Sequence, residues 1–168
     1  MKRGVEPVLI GWTEYVELPD WNVKRLRAKI DTGARSSALH VENIVELPRN
    51  RIKFDVVLHR EKRDRRVHIK ATVHRRSRVR SSNGHVDTRY FVRTLLRLGP
   101  VEREVELSLV DRGKMLHRML LGRSALSSPF LVDVSRRMIQ SPERARKKKK
   151  KATAKKAAAK PKRRSVED

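Results

Sequence analysis

Apolar and polar residues alternate with a period of two over several short stretches of this chain, the pattern of strands with one buried face. Leu26, Ala28 and Ile30 alternate with Arg27 and Lys29 and run straight into Asp31. Residues 52–58 (IKFDVVL) and 67–73 (VHIKATV) read as two further strands, and the charged connection from His59 to Arg66 reads as their hairpin tip. Val8 to Leu18 is strand-like and stops at Pro19. Residues 90–98 and 101–110 predict a strand pair joined at Gly99-Pro100, and Met115 to Leu121 a strand ending at Gly122. Asn83-Gly84, between β-compatible segments, supplies the positive φ angles of a tight hairpin turn. Arg123 to Ser128 has the length of one or two helical turns. Many short strands, one short helix and no βαβ rhythm predict an all-β fold, a small closed barrel. No repeat of fixed period is visible.

Composition changes the picture at the C-terminal end. Residues 141–168 are built from Lys, Ala and Arg with almost no large apolar side chain, and hold 13 basic against 3 acidic residues. Such a segment cannot bury enough surface to offset its ordering entropy, so a disordered basic tail is expected after a domain spanning residues 1–140. That domain is basic in its own right, with 30 Lys and Arg against 16 Asp and Glu. An anionic partner follows: nucleic acid, ribosome or an acidic polypeptide.

Other classes drop out. Without cysteine there is no disulfide framework, thiolate metal site or cysteine nucleophile. The apolar run from Val8 to Trp12 is too short for a signal-peptide core, and no stretch approaches the ~20 apolar residues of a membrane helix. A cytoplasmic protein with no membrane partner is the expectation.

The string Asp31-Thr32-Gly33-Ala34 carries the candidate chemistry. A carboxylate at a strand end projects into a cleft, a threonine hydroxyl can bond across to a matching loop, and glycine admits close backbone approach. Two such carboxylates side by side share a proton, so one activates water while the other donates to the substrate carbonyl. Alone, the string is better explained by turn chemistry, the commoner use of Asp and Gly. About 90 residues later stands Leu120-Leu121-Gly122-Arg123, followed by the short helix. With Asp-Thr-Gly-Ala early and apolar-apolar-Gly-Arg late, the chain resembles the retropepsin-like aspartic peptidases. That resemblance implies an acid-protease-like barrel in which the late strand threads beside the catalytic loop.

GWTEYVELP, KIDTGARSSALH, VRSSNGHVDTRY and MLLGRSAL with PFLVD narrow the resemblance. Together they are similar to a retropepsin-like family labelled ATP-dependent zinc protease, over about Ile10 to Asp133. Some members are associated with the ATP-grasp ligase that adds glutamates to a ribosomal protein. The residues carry neither half of the label. There is no His-Glu-x-x-His, the histidines at 40, 59, 68, 74, 85 and 117 are scattered, and no phosphate-binding Gly-x-x-x-x-Gly-Lys loop exists. His68 and His74, six apart, read as exposed histidines beside arginines. No metal and no cofactor are expected, and any ATP requirement belongs to a partner.

The resemblance implies Asp31, Thr32 and Gly33 as the catalytic loop, supported by Ala34, Leu120, Leu121, Gly122 and Arg123. Where retropepsins carry an acidic or small residue after Asp-Thr-Gly-Ala this chain has Arg35, so Arg123 needs another partner, Asp133 or Asp111. There is no second Asp-Thr-Gly, since Asp87-Thr88 continues into Arg89, so a dyad requires a homodimer. Asn83-Gly84 is the candidate flap over substrate, with the tip near Lys62 its rival. Arg35, Arg78, Arg80, Asn83 and Gly84 are the candidate substrate-binding residues. The arginines near residues 75–80 form either a charged edge strand that discourages aggregation or a rim that steers acidic substrates. Two functions stay open: an aspartic endopeptidase acting on acidic or polyglutamylated proteins, and a catalytically silent basic barrel that binds ribosome or RNA through its arginines and tail.

Overall fold

A computed structural model describes residues 6–59, 61–62, 64–80, 86–111, 113 and 116–141. Among these residues, eleven strands and one α-helix of a single turn follow in chain order, besides a 3-10 turn at Pro19–Trp21: β1 (Val8–Gly11), β2 (Thr13–Leu18), β3 (Val23–Ile30), β4 (Ser37–Leu47), β5 (Arg51–Val57), β6 (Arg66–Thr72), β7 (Arg75–Arg80), β8 (Val86–Leu98), β9 (Val101–Val110), β10 (Met119–Leu121), α1 (Arg123–Leu126) and β11 (Phe130–Asp133). The expected tail, from residue 142 onward, lies outside the described residues. Among the described residues no helix is long and apolar enough to cross a membrane.

Six strands close on themselves in the order β3, β2, β8, β9, β4, β10 and back to β3. The closure depends on β10, three residues long, which pairs in parallel with β3 and antiparallel with β4. Inside the ring, alternate residues meet: Val16, Leu26, Ala28, Leu39, Leu96, Leu107, Met119 and Leu121 are buried together. Removing one such leucine side chain costs about 2–5 kcal/mol, so the barrel rests on these alternating positions. β4 outruns the barrel. Its first half pairs with β9, its second half turns away to pair with β5, and β6 extends that sheet to an edge.

The pairs β5–β6 and β8–β9 form as the alternation predicts, the latter through a two-residue turn in which Gly99 has φ +57°. β7 and β8 pair from Arg80–Val86 outward, but the Asn83-Gly84 turn lies outside the described residues. Three expectations change. Val8 to Leu18 is two strands, because the backbone leaves the ladder at Trp12 and turns onto the C-terminal segment, where the Trp12 N–H donates to Arg136 O at 2.9 Å. The strand expected from Met115 begins only at Met119, and His117 and Arg118 are buried ahead of it. β4 and β11 are strands that alternation did not mark. In β4 the register shifts between Glu42 and Val45, with Asn43 at φ +55°, and that bulge breaks the period of two.

Candidate active site

β3 ends at Ile30, and the next residue is Asp31. Two contacts fix the strand end. The Ile30 N–H donates to Trp12 O at 2.9 Å and the Asp31 N–H to Leu121 O at 2.8 Å. The carboxyl then folds over its own loop. Asp31 Oδ1 accepts from the Gly33 N–H at 3.1 Å and the Ala34 N–H at 3.2 Å. Among the described residues Oδ2 has no hydrogen-bond partner, and the side chain is half-buried. One oxygen holds the geometry and the other is left without a bond among the described residues, which is what a carboxyl needs if it is to exchange a proton with a ligand.

The late motif clamps this loop from below. Arg123 Nη1 donates to Thr32 O at 2.9 Å and to Gly33 O at 2.8 Å. The expected partner, Asp133 or Asp111, is therefore replaced by two carbonyls of the Asp31 loop itself. Asp133 instead accepts from Ser135. The backbone N–H groups of Arg123 and Ser124 donate to Ala34 O and Arg35 O, and buried Ser37 Oγ accepts from the Gly122 N–H at 3.1 Å.

Gly122 is where backbone meets backbone. A Cβ there would stand 2.5 Å from Ser36 O and 2.8 Å from Arg35 O, whereas at Gly33 it would meet only Asp31 Oδ1 at 3.4 Å. The close approach expected at Gly33 thus occurs, within one chain, at Gly122. Gly122→Ala is expected to cost about 1–3 kcal/mol by forcing the two segments apart, and to lower any activity of the Asp31 loop with it. Thermal melting and kcat/KM on the same preparation check this. A variant with wild-type stability would contradict the close approach.

Asp31 to Ala34 and Leu120 to Arg123 thus come together as one unit, with Arg35 exposed beside it. Arg78 does not join them. It stands on β7 opposite Thr88 and, among the described residues, makes no hydrogen bond or ion pair to the loop. The side chain of Arg80, and Asn83 and Gly84, lie outside the described residues. Trp12 and Ser37 support the site without having been expected to.

His68 and His74 are exposed, as expected, but do not converge: His68 Nδ1 lies 2.5 Å from Asp55 Oδ1 and His74 3.5 Å from Glu106. A zinc ion does not fit these donors. Among the described residues no three His, Asp or Glu side chains stand close enough to hold a metal.

Asp55 is a polar centre of its own on the outer face of the β4–β5–β6 sheet. Its buried carboxyl also accepts from Asn43 Nδ2 at 2.8 Å and lies 3.4 Å from Arg66 Nη1. Burial pushes the carboxyl up, but the bonds from Asn43 and His68, joined by Arg66, hold it below its ordinary value. With the folded value depressed, the stabilisation is complete above the unfolded carboxyl's titration near ~3.9 and is lost as pH falls through the folded value. Asp55→Asn is therefore expected to make the loss of stability below about pH 4 less steep, read as denaturation midpoint against pH. An unchanged slope would contradict the pairing.

A closed barrel whose Asp-Thr-Gly-Ala loop is clamped by a threaded Leu-Leu-Gly-Arg strand defines a retropepsin-like protein. Residues 9–143 match the RimB-like family, described as "Retropepsin-like aspartic endopeptidase RimB", and the chain belongs to that family. Two curated relatives are each named "Probable alpha-L-glutamate ligase". The one from Shewanella halifaxensis is 36% identical over 132 residues, 76% of this chain, and the one from Parasynechococcus marenigrum 37% identical over 131 residues, 75% of this chain. The chain spans only 28% of the length of each. A crystal structure of a protein of unknown function from Legionella pneumophila superposes with a TM-score of 0.65 at 26% identity, covering 79% of this chain and 98% of that one.

Proposed function

We propose that this chain is one half of a retropepsin-like aspartic endopeptidase, acting on acidic, glutamate-rich polypeptides as a homodimer in which Asp31 of two copies meet. The observation that carries the reading is the Asp31 carboxyl itself, with Oδ1 tied down by two N–H groups and Oδ2 left to a ligand. In such a pair one carboxylate takes a proton from a bound water while the other, protonated, donates to the carbonyl oxygen of the scissile bond. The water oxygen adds to the carbonyl carbon. A proton then passes to the leaving nitrogen as the C–N bond breaks. Thr32, exposed and with its hydroxyl unengaged among the described residues, is available to bond across the two-fold axis.

Pairing is supported by an exposed apolar strip on the β1–β11 sheet, next to Trp12 and the site. Leu9 and Leu131 stand opposite each other in register, 40% and 55% exposed, and Val134 follows at 78%. An acidic substrate is supported by the exposed Lys29 and Arg35 beside Asp31 and by the similarity to longer chains named "Probable alpha-L-glutamate ligase". The second reading, a catalytically silent barrel that binds ribosome or RNA, is favoured by the 13 basic residues of 141–168.

Cleavage of a peptide library that includes glutamate-rich members, by wild type and Asp31→Asn with and without a chelator, separates the readings. The peptidase reading expects cleavage that chelator leaves alone and the substitution removes. Chelator-sensitive cleavage that survives the substitution would overturn it.

A further inference from the structure

The outer face of the β4–β5–β6 sheet carries a concavity of about 640 Å³ that shares no lining residue with the Asp31 loop; besides Phe54 and Ile69 it is lined by Asn43, Val45, Lys53, Asp55, His68 and Lys70. Lys53 and Lys70 are direct partners in the antiparallel register, both exposed. Like charges opposite each other on one face are destabilising, and neither lysine has an acidic partner among the described residues. Asp55 does not serve them. Its oxygens are taken by Asn43, His68 and Arg66, so it fixes the His68 ring while that side chain remains 80% exposed. The concavity therefore presents two unpaired ammonium groups and an oriented imidazole, with Val45 as an apolar wall.

The strand that carries His68 and Lys70 is also an edge. β6 pairs with β5 and, among the described residues, with no other strand. Arg66, His68 and Lys70 are two apart along it, a repeat of ~6.6–6.8 Å. An extended peptide laid along that edge projects every second side chain toward the same face with the same repeat. Cationic side chains there repel the edge of a second identical chain and favour a strand bearing carboxylates. A polynucleotide has no backbone ladder to match it.

We propose that the β6 edge and the concavity beside it form a docking site for an extended acidic peptide segment, one carboxylate of which sits between Lys53, Lys70 and His68. The class of partner follows the acidic-substrate reading above. The site itself, however, shares no residue with the Asp31 loop, so binding there can be read apart from cleavage.

The test uses the full chain carrying Asp31→Asn, so that binding is read without cleavage, and a labelled oligoglutamate as probe. Amide and His68 ring resonances of residues 66–72 are expected to shift on titration. Lys53→Gln with Lys70→Gln is expected to weaken binding about fivefold, while the charge-matched pair Lys24→Gln with Arg137→Gln, both exposed and outside the β4–β5–β6 sheet, changes it less than about twofold. Equal weakening by the two pairs, or shifts that spare residues 66–72, would overturn the proposal. So would an oligouridylate of equal charge producing the same shifts at the same concentration, which would make the face a general polyanion surface. Loss of cleavage in the wild-type background with this binding intact would count against the peptidase reading alone.

Discussion

Asp31→Asn is expected to remove peptide cleavage, a loss on the order of 10³-fold or more in kcat/KM, with the fold intact. The asparagine carbonyl can still accept from the Gly33 and Ala34 N–H groups that now bond Oδ1, so the loop keeps its shape. What disappears is a group that can take and return a proton. In the proposed homodimer each copy supplies one carboxyl of the dyad, so the substitution removes both acid and base at once. Unchanged thermal melting with no turnover is the expected pair of results. Retained turnover would mean that the clamped loop is structural and the chemistry lies elsewhere.

The second large effect is on stability, at Glu14, which is fully buried. A single oxygen, Oε1, accepts from the Gly11 N–H at 2.8 Å, the Ile139 N–H at 2.8 Å and the Gln140 N–H at 3.2 Å. It ties the start of the barrel to the segment that crosses over it. The crossing is close: a Cβ on Gly11 would stand 2.7 Å from Arg136 O, and the Gln140 side chain donates to Leu9 O. Glu14→Ala strands three donors without an acceptor and is expected to cost about 3–5 kcal/mol, a fall of roughly 10 °C in Tm. Glu14→Gln keeps an acceptor oxygen in place and is expected to lose less than half as much. A Tm within a degree or two of wild type for the alanine variant would show that the segment is held by other contacts.

Legibility in the sequence followed the range of the interactions. β5, β6 and β9 alternate cleanly because each has one face on the core, and the hairpin at Gly99-Pro100 is written in two adjacent residues. β4 was hidden by its own bulge, since residues on either side of Asn43 point by different rules. β11, four residues long, has its meaning only in its pairing with β1. At the site, Asp31 to Ala34 and Leu120 to Arg123 are local strings and could be read, but the Arg123 contact could not. A search for an acidic partner overlooks the two carbonyls that the loop turns toward it. Ser37 reaches Gly122 across 85 residues and Glu14 reaches Gln140 across 126, and no nearby pattern announces either bond.

The most direct test of the account is subunit mixing: the total cleavage activity of a fixed amount of wild-type chain after exchange with an equal amount of Asp31→Asn chain. If the working centre needs Asp31 from two copies, mixed dimers are inactive, and random exchange brings the activity down to about half. Activity that stays at the wild-type value whatever amount of the variant is added would contradict the shared dyad.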